Sequence, residues 1–247
     1  MLLCRDLIVR NAASYPNKVA YIDGKNRRTW AEMDQRSDQL AGALQQLGMG
    51  KGDVVAILSY DPVELVEHFF ACMKLGTVRT GINWRYAPRE MLHLIHDSDA
   101  RVTIVQAALV PLLADYWDEL QSGGRQVIGF GGDHTMPLDL ETLMNAATNP
   151  PLLPEIEPDD LLALSYTTGT TGLPKGAMWS HGMLREAQNW SVISSGIRHE
   201  DVWLTPIPLP GATAGFPTYG LVNGMTTVIQ GDGFTIDTML DAIERHK

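Results

Sequence analysis

Residues 164–181 read LSYTTGTTGLPKGAMWSH: an apolar run, six residues that are only Thr and Gly, a Pro-Lys-Gly turn, then a second apolar run. Tracts of Gly, Ser and Thr occur as flexible spacers, but a spacer is not clamped between two strand-like runs and does not end in Pro-Lys-Gly. A loop leaving a buried strand must turn tightly, and Gly169 and Gly172 permit backbone angles that other residues resist. Successive backbone N–H groups can then converge on an anion, with hydroxyls from Thr167, Thr168, Thr170 and Thr171 and the charge of Lys175 beside them. The stretch therefore reads as a phosphate-holding loop.

Two better-known phosphate loops do not fit it. A Walker loop needs Gly directly before the Lys and a hydroxyl residue directly after, whereas Pro174 precedes Lys175 and Gly176 follows it. Leu173, lying before a proline, is biased away from helix, so the loop does not run straight into one. The G-x-G-x-x-G spacing of dinucleotide folds is absent too. A phosphotransferase that uses the loop as a Walker motif does is the weakest of the functional readings.

Around this loop, strand-length apolar runs alternate with segments of helical period. TWAEMDQRSDQLAGALQQLG at 29–48 places Trp30, Met33, Leu40, Leu44 and Leu47 on one face, behind a Thr29–Glu32 capping box and ahead of Gly48. VVAIL at 54–58 reads as a buried strand, and Asp61–Pro62 opens a second helix that stops at Gly76. The pattern continues with a strand near 77–81, a helix near 88–97, a strand at 101–105, a helix near 107–121 and a strand at 126–130. LLALSY and AMWSH flank the loop as strands, GMLREAQNWSVISSG is a helix ending near Gly196, and TTVIQG and IDTMLDAIERHK give a last strand and helix. Such alternation predicts an α/β fold with mainly parallel sheets flanked by helices. NPPLLPEIEPDD, 149–160, cannot continue a helix or a central strand. It divides the chain into a first lobe, 1–148, and a second, 161–247, either as separate domains or, the preferred reading, as lobes of one domain joined by a surface connector.

Composition narrows the classes. The chain has 247 residues, 45% of them hydrophobic, and a net charge of −10. A chain of this length buries roughly 70–75% of its unfolded surface and needs no disulfide or metal staple. An acidic balance without a basic stripe argues against nucleic-acid or anionic-membrane partners. Cys4 and Cys72 are the only cysteines; Cys72 lies in an apolar stretch and reads as a buried free thiol. Arg5, Asp6 and Arg10 interrupt the start where a signal peptide needs its apolar core, and no window reaches transmembrane length, which points to the cytoplasm.

YTTGTTGLPKG at Tyr166–Gly176, with His181 five residues on, resembles the phosphate-binding signature of the AMP-forming adenylating enzymes, which include acyl-CoA synthetases, luciferase and peptide-synthetase adenylation domains. LGMGKGDVVAIL (47–58), KLGTVRTGIN (74–83) and REMLHLIHDSDARVTIV (89–105) resemble the regions ahead of that loop, so the likeness runs from about Arg28 to the end. The resemblance implies the N-terminal lobe of an acyl-CoA-synthetase-like fold. It implies an acid–thiol ligase that uses ATP, Mg²⁺ and coenzyme A to activate a small carboxylic acid, through an acyl-adenylate, as in fatty acid metabolism. It assigns Thr167, Thr168, Gly169, Thr170, Thr171, Gly172 and Lys175 to the β- and γ-phosphates, with Thr167 a weak Mg²⁺ contact. Pro210, Gly211, Ala212 and Phe216 become the candidate acyl pocket, with Gly211 standing where many relatives carry a His that borders the acyl group. That exchange either widens the pocket or means that the pocket is built differently, and the apolar setting favours an apolar or aromatic acid over an amino acid.

The resemblance also implies motifs that are not here. Neither the Tyr/Phe-Gly-x-Thr-Glu segment nor the Thr-Gly-Asp that hold the nucleoside occurs between Gly176 and Lys247, and the family's catalytic Lys lies further downstream still. Two readings stay open: the N-terminal part of a carboxylate–CoA ligase, truncated at its C-terminal end, or a catalytically incomplete fragment that binds pyrophosphate or a partner without turnover. Uncovered apolar faces are expected to promote self-association.

Other features carry blander expectations. His93 and His96 have helical i, i+3 spacing without a third ligand cluster and read as residues of a helix surface. His181 follows Ser180, the expected N-cap, and reads as structural. Asp133 and His134 read as a surface turn, and Trp203, Phe216 and Tyr219 as core more than pocket.

Overall fold

The computed structural model describes residues 2–24, 26–147, 150–167, 174–230 and 234–246, and of residues 211 and 212 the backbone alone. In chain order the elements are α1 (Cys4–Ser14), β1 (Val19–Asp23), β2 (Asn26–Thr29), α2 (Trp30–Gln46), β3 (Val54–Leu58), α3 (Val63–Leu75), β4 (Val78–Ile82), α4 (Pro88–Asp97) and β5 (Val102–Gln106). There follow α5 (Trp117–Gln121), β6 (Gln126–Phe130), β7 (Leu138–Asp139), α6 (Leu140–Ala146), β8 (Leu161–Thr167), β9 (Lys175–Ser180), α7 (His181–Ser195), β10 (Val202–Thr205), α8 (Gly220–Asn223), β11 (Thr226–Ile229) and α9 (Ile236–Arg245).

Two sheets organise them. The larger runs β7-β6-β5-β3-β4-β8-β9, parallel throughout except for the edge hairpin of β8 and β9. The smaller runs β10-β11-β1-β2, with β2 antiparallel. Mainly parallel sheets with covering helices were expected from the alternation, and this is the architecture found.

Sheet membership does not follow the sequence division into lobes at 149–160. β8, after that stretch, pairs with β4 through Arg79↔Ala163 and Thr80↔Leu164, while β1, before it, pairs with β11 through Tyr21↔Thr227 and Ile22↔Val228. Parallel pairing joins strands far apart in sequence. The connector itself is docked: His181 N–H donates to the Asp160 carbonyl, Gly182 N–H to the Pro158 carbonyl at 2.7 Å, and Lys51 pairs with Asp160 at 2.6 Å.

α3 lies between the sheets. Every residue of it except Glu64 is buried, with apolar residues on all of its faces and Glu67, His68 and Lys74 buried among them. Phe69 meets the larger sheet, its ring 5.0 Å from the Arg79 guanidinium carbon, and Phe70 meets the smaller, its ring 5.8 Å from that of Tyr21. The two charges that α3 carries inward are paired: Glu67 with Arg28 (3.1 Å) and Arg36 (2.6 Å), Lys74 with Asp34 (2.6 Å) and Asp38 (2.7 Å). Buried charges without partners would be far costlier. Asp23 Oδ2 accepts the Val63 N–H at 2.8 Å, so β1 caps this helix from the other sheet.

Local signals held where they were strong. The Thr29–Glu32 capping box forms in both directions, at 3.2 and 2.7 Å, and Gly76 ends α3 at φ 74°. The expected helix at 107–121 is instead a 3₁₀ segment, Ala107–Tyr116, followed by the short α5. Pro111 lies inside it and has no N–H to give an α-helical turn. His134 is not on a surface turn: it is 6% exposed on its side chain, packs over Gly129 and approaches Asp139 at 3.3 Å. Cys72 is buried, and burial pushes its thiol up to about 12. Among the described residues no helix is long and apolar enough to cross a membrane.

Candidate functional site

The hairpin of β8 and β9 builds the mouth of the candidate phosphate site. β8 runs parallel to β4, and β9 returns along it with Thr167↔Lys175, Tyr166↔Gly176 and Ser165↔Ala177 as facing pairs. Thr167 and Lys175 form the last described rung, both exposed. Facing residues project to the same side of a sheet with Cβ atoms about 5 Å apart. A hydroxyl donor and an ammonium are therefore placed together, at the carboxyl end of a parallel strand, where open α/β sheets leave room for ligands. Thr168, Gly169, Thr170, Thr171 and Gly172 lie outside the described residues.

The next rung explains the residues that bracket the motif. Tyr166 points to the opposite face and is buried, and its hydroxyl donates to Asp97 Oδ2 at 2.6 Å. A Cβ on Gly176 would lie 3.1 Å from Tyr166 Cζ. The ring lies across the glycine backbone, so glycine after the lysine lets β9 close against the tyrosine. Burial, then the Asp97 carboxylate, raises the Tyr166 phenol above its ordinary range and keeps it neutral.

A cavity of about 410 Å³ opens beside β9. Trp179 stands on one side of it, on the same face of β9 as Lys175 because strand side chains alternate, and about 14 Å along the strand. α7 supplies Met183, Leu184, Ala187 and Gln188; the 3₁₀ segment Gly211–Thr218 and its C-terminal neighbour supply Gly215, Phe216 and Tyr219. Of the four candidate acyl-pocket residues, Phe216 lines the cavity. Pro210 is buried at the N-terminal boundary of the 3₁₀ segment, and Gly211 and Ala212 form its first residues. Phe216 and Tyr219 are half-buried and mutually edge-on at 5.6 Å, so they belong to the cavity wall more than to the core.

The wall residues on α7 were not foreseen from the sequence. Their signal was available: 183, 184, 187 and 188 recur at helical spacing on one face. Ser180 does cap that helix, its Oγ accepting the Met183 N–H at 3.1 Å. His181 is wholly buried, and burial first of all pushes its imidazole down to about 4. A neutral buried imidazole away from the hairpin mouth is a packing residue. His96 approaches Glu119 at 3.3 Å, and among the described residues no three His, Cys, Asp or Glu side chains cluster as a metal site.

Comparison with known proteins gives one family. The sequence profile described as AMP-binding enzyme matches residues 8–247. The long-chain-fatty-acid–CoA ligase FadD13 of Mycobacterium tuberculosis is 31% identical over 205 residues, covering 82% of this chain and 40% of that protein. The indoleacetate–CoA ligase of Aromatoleum aromaticum is 30% identical over 247 residues, covering 97% of this chain and 47% of its own length. Among solved structures, a putative long-chain-fatty-acid CoA ligase from Rhodopseudomonas palustris superposes with a TM-score of 0.90 at 27% identity, covering 99% of this chain and 61% of that one. The chain thus spans under half the length of these two curated relatives.

Proposed function

The chain belongs to the AMP-binding enzyme family, and on that premise we propose that it supplies the phosphate loop and acyl cavity of an ATP-dependent carboxylate–CoA ligase. The observation that carries this reading is the Thr167–Lys175 rung on the same face of β9 as the Trp179 cavity. The acid's carboxylate attacks the α-phosphorus of ATP, the bond to the bridging oxygen breaks, and pyrophosphate leaves. The Lys175 ammonium and the Thr167 hydroxyl, with the donors of 168–172, hold the β- and γ-phosphates and meet the charge that grows on the leaving oxygens. Thr167 offers one neutral oxygen that would help to hold a Mg²⁺ ion, which would supply positive charge to the phosphates. The apolar cavity takes the body of an apolar or aromatic acid, and a thiol, that of coenzyme A by the family's chemistry, then attacks the carbonyl of the acyl-adenylate, giving the thioester and releasing AMP.

Acid-dependent exchange of labelled pyrophosphate into ATP tests the proposal. Exchange stimulated by an apolar acid, and lost in Lys175→Ala, is the expected result. A second reading is binding of pyrophosphate at the Thr167–Lys175 rung without turnover. Its signature is pyrophosphate binding that weakens in Lys175→Ala while no acid in the panel supports exchange.

A further inference from the structure

Gly215 stands on the cavity wall, and neither its backbone nor its neighbours require a glycine there. It lies in a 3₁₀ segment and outside the left-handed region that favours glycine, unlike Gly196 and Gly224. A Cβ built on it would sit 3.6 Å from Trp179 Cζ3 and 3.7 Å from Leu184 Cδ1, ordinary van der Waals contact. Gly176, Gly182 and Gly220 differ, since a Cβ on each would come within 3.0–3.2 Å of a ring or a backbone atom. Alanine would be favoured over glycine in a helical turn, so what glycine provides here is the space its side chain leaves. Trp179 and Leu184 line the cavity together with Gly215, so a side chain longer than a methyl at 215 competes with an occupant for the same space.

The wall is also fixed in place. Thr218 Oγ1 donates to the Gly215 carbonyl at 2.6 Å, Gln188 Nε2 donates to Thr218 Oγ1 at 2.5 Å, and Cys4 Sγ donates to Gln188 Oε1 at 3.1 Å. Gln188 and Thr218 are fully buried. This chain of bonds anchors the Gly215 backbone to α7 and α1, so the wall does not retreat from a bulkier occupant.

We propose that Gly215 is a specificity-determining residue whose missing side chain sets the size limit of the apolar acyl group taken by the Trp179–Phe216 cavity. The inference rests on the reading of that cavity as the acyl site. Calorimetric titration of the full chain with unbranched saturated monocarboxylates of increasing length, below their micellar concentrations, tests it. For the wild type, each added methylene tightens binding about fourfold until the cavity is full. In Gly215→Leu that limit arrives about four carbons earlier, because a close-packed cavity exchanges ligand carbons for side-chain carbons. Gly215→Ala, whose Cβ fits without displacement, folds as the wild type does and shifts the limit by about one carbon. Identical length profiles in all three proteins overturn the inference and leave the acyl-site reading standing. Wild-type protein that binds no acid, or binds with no dependence on length, overturns the reading and the inference with it.

Discussion

Phe70→Ala lowers the free energy of unfolding by about 3–5 kcal/mol, the cost of a large cavity in a core that collapses only partly around it. Phe70 is fully buried on α3, and its edge contact with Tyr21 is one of the places where the central helix meets the smaller sheet. Tyr21 is itself held by a 2.6 Å bond to the Pro217 carbonyl and by the edge of Trp30, so these neighbours cannot swing in to refill the space. Urea denaturation measures the change. Trp190→Ala, at a side chain whose residue is 69% exposed on α7, is the control and shifts stability by no more than about 0.5 kcal/mol. A Phe70→Ala protein as stable as this control contradicts the placement of α3 between two sheets.

Acidification from pH 7 to pH 5 destabilises the fold by about 3 kcal/mol, well above the pH at which most carboxylates protonate. Burial pushes His68 down to about 3 and His181 down to about 4, while both titrate near 6.5 once unfolded. Between those values the unfolded chain binds a proton on each histidine and the folded chain does not, so stability rises with pH through this window and is lost as pH falls from about 6.5. Each histidine contributes about 2 kcal/mol by pH 5 at 1.36 kcal/mol per pH unit. Glu64 works in the opposite direction: burial raises it to about 6, so the folded state takes up its proton first and returns about 1 kcal/mol at pH 5. Denaturation midpoints across pH 4.5–7.5 measure the slope. His68→Gln and His181→Gln each remove about half of the histidine contribution, and a wild-type profile that is flat between pH 7 and 5 contradicts the burial of both rings.

Much of this was legible in local sequence. α2 announces itself by the Thr29–Glu32 box and Gly48, α3 by apolar residues on every side, and the β8–β9 hairpin by two apolar runs around the Thr-Gly tract. What local pattern does not carry is which distant strands pair. Nothing between 19 and 29 says that Val19–Asp23 joins a sheet with residues 202–229, because that pairing is decided by the common burial of Tyr21, Trp30 and Phe70. The site divided the same way. The candidate phosphate-loop residues were visible as a motif and Phe216 as a candidate wall residue. Trp179 and the α7 face became visible as wall only when the chain brought β9 and α7 against the Gly211–Thr218 segment.

Titration calorimetry with magnesium pyrophosphate at low salt tests most directly whether the mouth of the β8–β9 hairpin holds phosphate oxygens. Wild-type protein binds, and Lys175→Ala, with its circular dichroism unchanged, binds at least about tenfold more weakly, as loss of one charge-assisted contact implies. Equal affinity in the two proteins, or no binding by the wild type, contradicts the account.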